Sequence, residues 1–393
     1  MVDLVTGAVF LAAVGASMFM AWTIGAGSSG STPFAPAVGA QAISVMRAAF
    51  LVGMLVLLGA VLQGASVSEA VGRELIGGVT LSTSAAAIAL LIAATLVTVG
   101  VFTGYPIATA FTVTGAVIGV GIAMGGDPNW PKYLEIAGLW LAVPFVGGGF
   151  AYAIARWIRA ERVHEARAVS ALGGAVGAVL VNIELAVLGG PGEEATVAAA
   201  VAAGVDAPAL GWLATTALAM LAGYWITANR LESDVRRGER QFTLVMGAIV
   251  AFSAGGSQVG LAVGPLLPLL EGSVPLVVIL AGGGVGLLAG AWTGAPRLIK
   301  AVSQDYAQLG PRRALAALVP SFVIAQVAIL FGIPVSFNQI IVSGVTGAGA
   351  AAHATGGISR RKIWYTVLAW TGSFVGALLS GYLGFGLVAV VTG

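Results

Sequence analysis

The sequence has no cysteine, only two histidines, and Asp, Glu, Lys and Arg together make up 9% of 393 residues. Without cysteine there is no disulfide framework and no thiolate chemistry, which excludes a small secreted scaffold stapled by bridges. A soluble domain carries about 25% charged residues, so this chain lacks the surface charge to stay dissolved. That excludes a cytosolic enzyme and a nucleic-acid binder. His164 and His353 are too isolated to build a metal site. No nucleophile–base pair, metal-ligand cluster or phosphate loop is present either, so neither a catalytic residue nor a cofactor is expected. The start MVDLVTGAVF also lacks the basic stretch of a cleaved signal, and its first apolar run is read as a true span.

What fills the sequence is apolar: 58% hydrophobic residues with 58 glycines, and a mean hydropathy of +0.99. A span needs about 20 apolar residues to cross about 30 Å of hydrocarbon. Such runs occur at 4–24, 41–64, 84–102, 107–124, 134–156, 168–190, 208–228, 240–256, 273–295, 313–331, 334–351 and 363–391. They predict an all-α polytopic membrane protein with about twelve transmembrane helices. Two Gly/Pro-rich stretches, Gly25–Ala40 and Gly255–Leu270, read as re-entrant hairpins, because irregular backbone at membrane depth survives only under a cover of protein or water.

The cations test this count. With alternating spans, 16 of the 18 Lys and Arg fall on one face, and only Arg73 and Lys132 fall on the other. The positive-inside rule then makes the crowded face cytoplasmic, with both termini outside the cell membrane. The loops 157–167 and 229–240 read as solvated connectors.

A faint repeat runs through the chain. Ala21-Trp22-Thr23-Ile24-Gly25 matches Ala251-Phe252-Ser253-Ala254-Gly255 at an offset of 230, and Gly104-Tyr105-Pro106 matches Gly332-Ile333-Pro334 at 228. Lys132 and Trp140 face Lys362 and Trp370, again at 230. Seven spans, an odd number, separate the two starts, so the second unit enters from the opposite side. The expected organisation is a first inverted repeat at 1–160, two linking helices at 161–238, and a second repeat at 239–393. Inverted repeats with broken helices at matching places are the architecture of many secondary transporters.

The broken segments carry neutral donors. Gly27, Ser28, Ser29, Ser31 and Thr32 lie in the first, and Gly256, Ser257 and Gln258 in the second. Pro106 and Pro334 read as first-turn residues of helices, followed by Thr109, Thr112 and Thr114 in one half and Ser336, Asn338 and Gln339 in the other. Helix N-termini and hydroxyls suit an oxyanion. Serine and glycine in membrane helices also serve packing, and Gly119, Gly121, Gly347 and Gly349 are assigned to it outright. Glu184 is expected inside the span 168–190, as a proton or cation relay or as an interfacial residue. Arg47 reads as a helix-end anchor.

The repeated Ala21-Trp22…Gly25-Ala26 and Ala251-Phe252-Ser253…Gly255 segments resemble the duplicated signature of the inorganic phosphate transporter (PiT) family. The two Gly-x-Pro stretches resemble its Gly-x-Pro-Val-Ser-Thr-Thr-His motif. The resemblance covers nearly the whole chain and implies a cation-coupled permease for an inorganic oxyanion, coupled to Na⁺ or H⁺, in the lipid bilayer and in keeping with a homodimer. An anion channel or a non-transporting sensor relative is the alternative. Where the family has Asn-Asp after Gly-Ala, this chain has Gly27-Ser28 and Ser257-Gln258. Phosphate still carries a proton that a carboxylate accepts, and sulfate carries none. A site without acids therefore suits sulfate at least as well, and a sulfate-permease branch of the family lacks the same pairs.

Overall fold

A computed structural model describes residues 4–160, 164–189, 195–270, 272–352 and 358–392. Twelve principal helices follow one another: α1 (Leu4–Gly27), α2 (Val45–Gln63), α3 (Thr83–Thr103), α4 (Thr109–Ala123), α5 (Trp130–Ile158), α6 (Glu165–Leu180), α7 (Pro208–Ser233), α8 (Val235–Val263), α9 (Leu276–Thr293), α10 (Pro311–Leu330), α11 (Phe337–Ala350) and α12 (Arg360–Thr392). Among the described residues, nine helices are long and apolar enough to cross a bilayer, which is fewer than twelve. The other three, α4, α6 and α11, have 15, 16 and 14 residues. At 1.5 Å per residue they reach about 21–24 Å, short of the hydrocarbon thickness.

The shortness of α4 and α11 has a local cause. Gly104 (φ 74°) and Gly332 (φ 58°) end the preceding helices in the left-handed conformation, the usual glycine terminator. The chain then runs extended past Pro106 and Pro334, and helix resumes only at Thr109 and Phe337. The prolines therefore precede the helices and do not open their first turns. Each proline carbonyl is held from elsewhere: Trp140 Nε1 donates to Pro334 O at 2.8 Å, and Trp370 Nε1 to Pro106 O at 2.7 Å.

Elements recur in the same order at both ends of the chain. In the first run, α1 is followed by the short helix Ala35–Gly39, α2, the helical turns Ala65–Glu74, α3, α4 and α5. In the second, α8 is followed by the turns Gly264–Leu270, α9, the helix Ala295–Asp305, α10, α11 and α12. Packing crosses between the runs: α1 lies against α9, α8 against α2, α4 against α12 and α11 against α5. Glycines make the crossings possible. A Cβ at Gly25 would collide with the Leu287 carbonyl, one at Gly255 with the Val56 carbonyl, one at Gly119 with the Leu378 carbonyl, and one at Gly347 with the Gly148 carbonyl. Lipid supplies no hydrophobic drive between helices, so close backbone approach provides the contact energy.

Two further readings of the sequence change. The stretch from Gly255 is no hairpin: α8 continues to Val263, so Gly256, Ser257 and Gln258 sit inside a helix. Small residues that would break a helix in water are tolerated here because neighbouring backbones cover them. Glu184 is not in a membrane helix either. α6 stops at Leu180, and Glu184 lies in a two-residue strand, β1 (Glu184–Leu185), paired antiparallel with β2 (Ala195–Thr196). Asn182 and Glu184 flank the buried Ile183 just past the helix end, and α6 with α7 forms a pair that lies between the two runs of helices in the chain. His353 lies outside the described residues.

Candidate functional site

The end of α1, the last turns of α8 and the starts of α4 and α11 converge. α1 ends at Gly27, and the turn that follows places Ser28 against α8, where Ser28 Oγ donates to Gln258 Oε1 at 3.1 Å. Ser28 and Gln258 are the residues matched at the offset of 230, so corresponding positions of the two runs touch. Thr109, the first residue of α4, donates its hydroxyl to the same Oε1 at 2.8 Å and lies 3.4 Å from Ser28 Oγ. Gln258 Nε2 donates to Val335 O, two residues before α11, at 2.6 Å. Asn338 ties the remaining strands together, its Nδ2 donating to Gly27 O at 2.7 Å and to Ile107 O at 2.6 Å. Ser28, Thr109, Gln258 and Asn338 are all fully buried.

Gln258 is therefore the hub, with every polar atom used. Among the described residues, buried polar atoms without a hydrogen-bond partner include Ser257 Oγ, next to Gln258 in the chain, Asn338 Oδ1, on the amide that holds Gly27 O and Ile107 O, and Ser336 Oγ, Gln339 Oε1 and Thr114 Oγ1 at or near the starts of α11 and α4. A buried polar atom left unsatisfied costs about 1–3 kcal/mol, so several together mark a place built for something else. Two helix N-termini add backbone donors. The first intrahelical bonds of α4 and α11 are Thr112 N→Ala108 O and Ile340 N→Ser336 O, which leaves the N–H groups of residues 109–111 and 337–339 ahead of the ladder. None of these groups is charged. The arrangement can hold a desolvated anion by dipoles alone, and its orphan amide and hydroxyl oxygens can face a small cation.

The structure does not gather every residue singled out in the sequence. Ser29, Ser31 and Thr32 are buried but turn back on their own loop, onto Ile24 O, Ser28 O and Ser28 O at 3.5, 3.1 and 3.1 Å. Thr112 bonds its own helix at Ala108 O, 2.9 Å. Gln339 Nε2 donates to Trp140 O at 2.7 Å, where Phe111 stacks on the Trp140 ring at 3.8 Å between centroids. Gly256 has no room beside it: a Cβ there would lie 2.6 Å from Gln63 Cβ. Glu184 stands apart, and only its backbone carbonyl takes part, accepting from Gln63 Nε2 at 2.9 Å. Partial burial raises its carboxyl pKa, a desolvation effect.

One group was not foreseen. Gln63 and Gln326 exchange amide hydrogen bonds at 3.3 and 3.4 Å, and Gln326 Nε2 donates to Ser253 Oγ at 2.7 Å. Ser253 lies one helical turn before the unpartnered Ser257. A polar file thus leads from the Glu184 carbonyl through Gln63 and Gln326 to Ser253, one turn of α8 short of the hub. Its sequence signal is single glutamines in otherwise apolar runs, visible only once their helices are placed side by side.

Comparison with known proteins bears on the family and the fold. Residues 24–381 match the phosphate transporter family. A protein of Chlamydia trachomatis named "Putative phosphate permease" is 26% identical over 403 residues, covering 90% of this chain and 92% of its own. A protein of Pyrococcus furiosus with the same designation is 26% identical over 356 residues, covering 84% and 85%. A solved structure of a sodium-dependent phosphate transporter superposes with a TM-score of 0.79 at 19% identity, covering 98% of this chain and 100% of that one. At that identity the likeness establishes the fold.

Proposed function

The chain belongs to the phosphate transporter family, a family of multi-pass membrane transporters and not of enzymes, and on that premise we propose that it is a secondary permease carrying one inorganic oxyanion through the Ser28–Gln258 crossing. The observation that carries this reading is the contact between those two residues, set between the N-termini of α4 and α11 and surrounded by unpartnered buried oxygens. The curated relatives named as phosphate permeases support phosphate as the substrate.

On this reading residues 1–160 and 239–393 are two halves of inverted topology, and transport rocks one against the other. The basic face is cytoplasmic. In the closed arrangement the hydroxyls of Ser28 and Thr109 donate to Gln258; an entering anion takes over those two donors, and the Gln258 amide turns its N–H groups from Val335 O toward the anion. A coupling cation, Na⁺ or H⁺, offsets the charge. Na⁺ fits the orphan oxygens of Asn338 and Gln339 better than H⁺ fits Glu184, because Glu184 reaches the hub only through backbone and amides.

A second reading, sulfate, has its own observation. No carboxylate lies among the hub residues, so a protonated phosphate oxygen finds no anionic acceptor while a sulfate needs none. Uptake into proteoliposomes decides between them. Labelled phosphate and labelled sulfate, each with the other as competitor, are followed under an imposed Na⁺ or proton gradient. Accumulation above equilibrium is expected of a permease, whereas equilibration alone would identify a channel. Phosphate uptake that ignores sulfate would remove the second reading, and no uptake of either by folded protein would overturn both.

A further inference from the structure

On the basic face a cavity of about 570 Å³ opens between the loop Ala40–Ala42, the end of α5 and the first turns of α8 and α10. Five arginines line it, Arg159, Arg236, Arg240, Arg312 and Arg313, against a single lining carboxylate, Glu239. Their partners leave a surplus of positive charge. Arg312 bridges Glu165 and Glu239, the latter at 3.2 Å, and Arg240 Nε donates to Ala42 O at 3.0 Å. Arg159, Arg236 and Arg313 form no ion pair with any described residue, and all three line the same cavity. Gathering like charges in a concave site is unfavourable unless an anion completes it.

A second feature points the same way. α10 begins here with Pro311 in its first turn, and its first intrahelical donor is Ala314 N, to Gly310 O at 3.0 Å. The N–H groups of Arg312 and Arg313 thus remain at the helix N-terminus, next to their own guanidinium groups. Across the cavity Gln41 holds φ 57°, a left-handed conformation that non-glycine residues rarely adopt. Planar guanidinium forks pair with phosphoryl oxygens two at a time.

We propose that this cavity binds a phosphoryl oxyanion, apart from the buried hub and independently of what the hub carries. Its ligand is a free phosphate or the phosphate of an anionic phospholipid, which present the same oxygens to the arginines. The segment from Ser28 to Ala42 joins the two places, so an anion held beside Arg240 also steadies the far end of the segment that begins at the hub.

The test uses the full-length chain in nanodiscs, either of phosphatidylcholine alone or with about one third phosphatidylglycerol. Equilibrium binding of labelled inorganic phosphate is measured for the wild type, for Arg159→Gln with Arg313→Gln, and for Gln258→Leu. In phosphatidylcholine the wild type is expected to show a component that disappears in about 0.5 M chloride, as screened surface charge would. The arginine variant weakens it at least tenfold, and Gln258→Leu keeps it. If that component survives phosphatidylglycerol, the ligand is free phosphate. If it vanishes there, and the lipid copurifies with the wild type but not with the arginine variant, the ligand is the lipid. The proposal is overturned if the arginine variant, with an unchanged melting temperature, binds phosphate and retains phosphatidylglycerol as the wild type does. Failure of the hub reading would show as unchanged uptake by Gln258→Leu and leaves this result untouched.

Discussion

The two ends of the chain bring corresponding residues to one point by different means. In the first, helix α1 stops at Gly27 and Ser28 stands on the turn beyond it. In the second, α8 runs through Gln258 and stops five residues later at Val263. The side chains compensate for the backbones. A serine on a turn has a short reach and one hydroxyl; a glutamine on a continuous helix has a long reach and an amide that accepts twice and donates once. The surroundings differ as well. Ser253 joins a file of amides through Gln326 and Gln63, whereas its counterpart Thr23 bonds only its own turn, at Met20 O, 2.8 Å. Equal positions in the two runs thus carry unequal work, with the second acting as hub and the first as gatepost.

The largest effect expected from this contrast is on uptake. Gln258→Leu removes three hydrogen bonds and leaves Val335 O, Ser28 Oγ and Thr109 Oγ1 without their partner, so initial uptake should fall about 100-fold or more, at roughly 1 kcal/mol per bond. Ser28→Ala removes one donor and should cost about 5- to 10-fold. Initial rates in proteoliposomes read both, and equal losses would end the distinction between hub and gatepost.

An intermediate effect tests the places where the two runs behave alike. Trp140→Phe and Trp370→Phe each withdraw one indole donor from a proline carbonyl, and each should lower stability by about 1 kcal/mol. Thermal unfolding in detergent measures the pair. Matching shifts would sharpen the correspondence, and a several-fold disparity would break it.

The smallest effect belongs to Glu184. Burial raises its carboxyl pKa, so the folded state holds its proton to higher pH than the unfolded chain does. Any stability linked to it is complete below the unfolded value near 4.5 and is lost as pH rises through the folded value. Glu184→Gln removes that loss, which should leave the variant marginally more stable at neutral pH with the pH profile of uptake unchanged. A shifted uptake profile would bring Glu184 into coupling after all.

Much of this was legible in the sequence, and the rest was hidden for identifiable reasons. All twelve apolar runs overlap the twelve principal helices, because burial in hydrocarbon is set by composition over a window. The matched motifs at Gly25 and Gly255, and at Gly104 and Gly332, mark real close approaches and real helix ends. Composition misled where it borrowed rules from water. Gly255-Gly256-Ser257 reads as a break, yet the backbones of α2 and its neighbours press against that face and keep it helical. The run reaching 190 reads as one span, yet hydropathy does not separate a helix from a short strand, and Glu184 lies past the helix end. Trp140 and Trp370 were matched to each other by offset, but nothing in the sequence says that each reaches the other run's proline. That depends on the crossing of α5 with α11 and of α12 with α4.

The tryptophan bonds also bear on how the protein is made. Trp370 is 264 residues beyond the Pro106 carbonyl it holds. At about 5–20 residues per second, the ribosome needs roughly 13–53 s to supply it. Throughout that interval the early helices are inserted with the loop before α4 unfastened, and until Gln258 emerges part-way through it the Ser28 turn also lacks its partner. The first half of the polypeptide is therefore an unfinished client of the insertion machinery until the last helix arrives. A chain truncated before Trp370 should leave the translocon as a substrate for quality-control proteolysis.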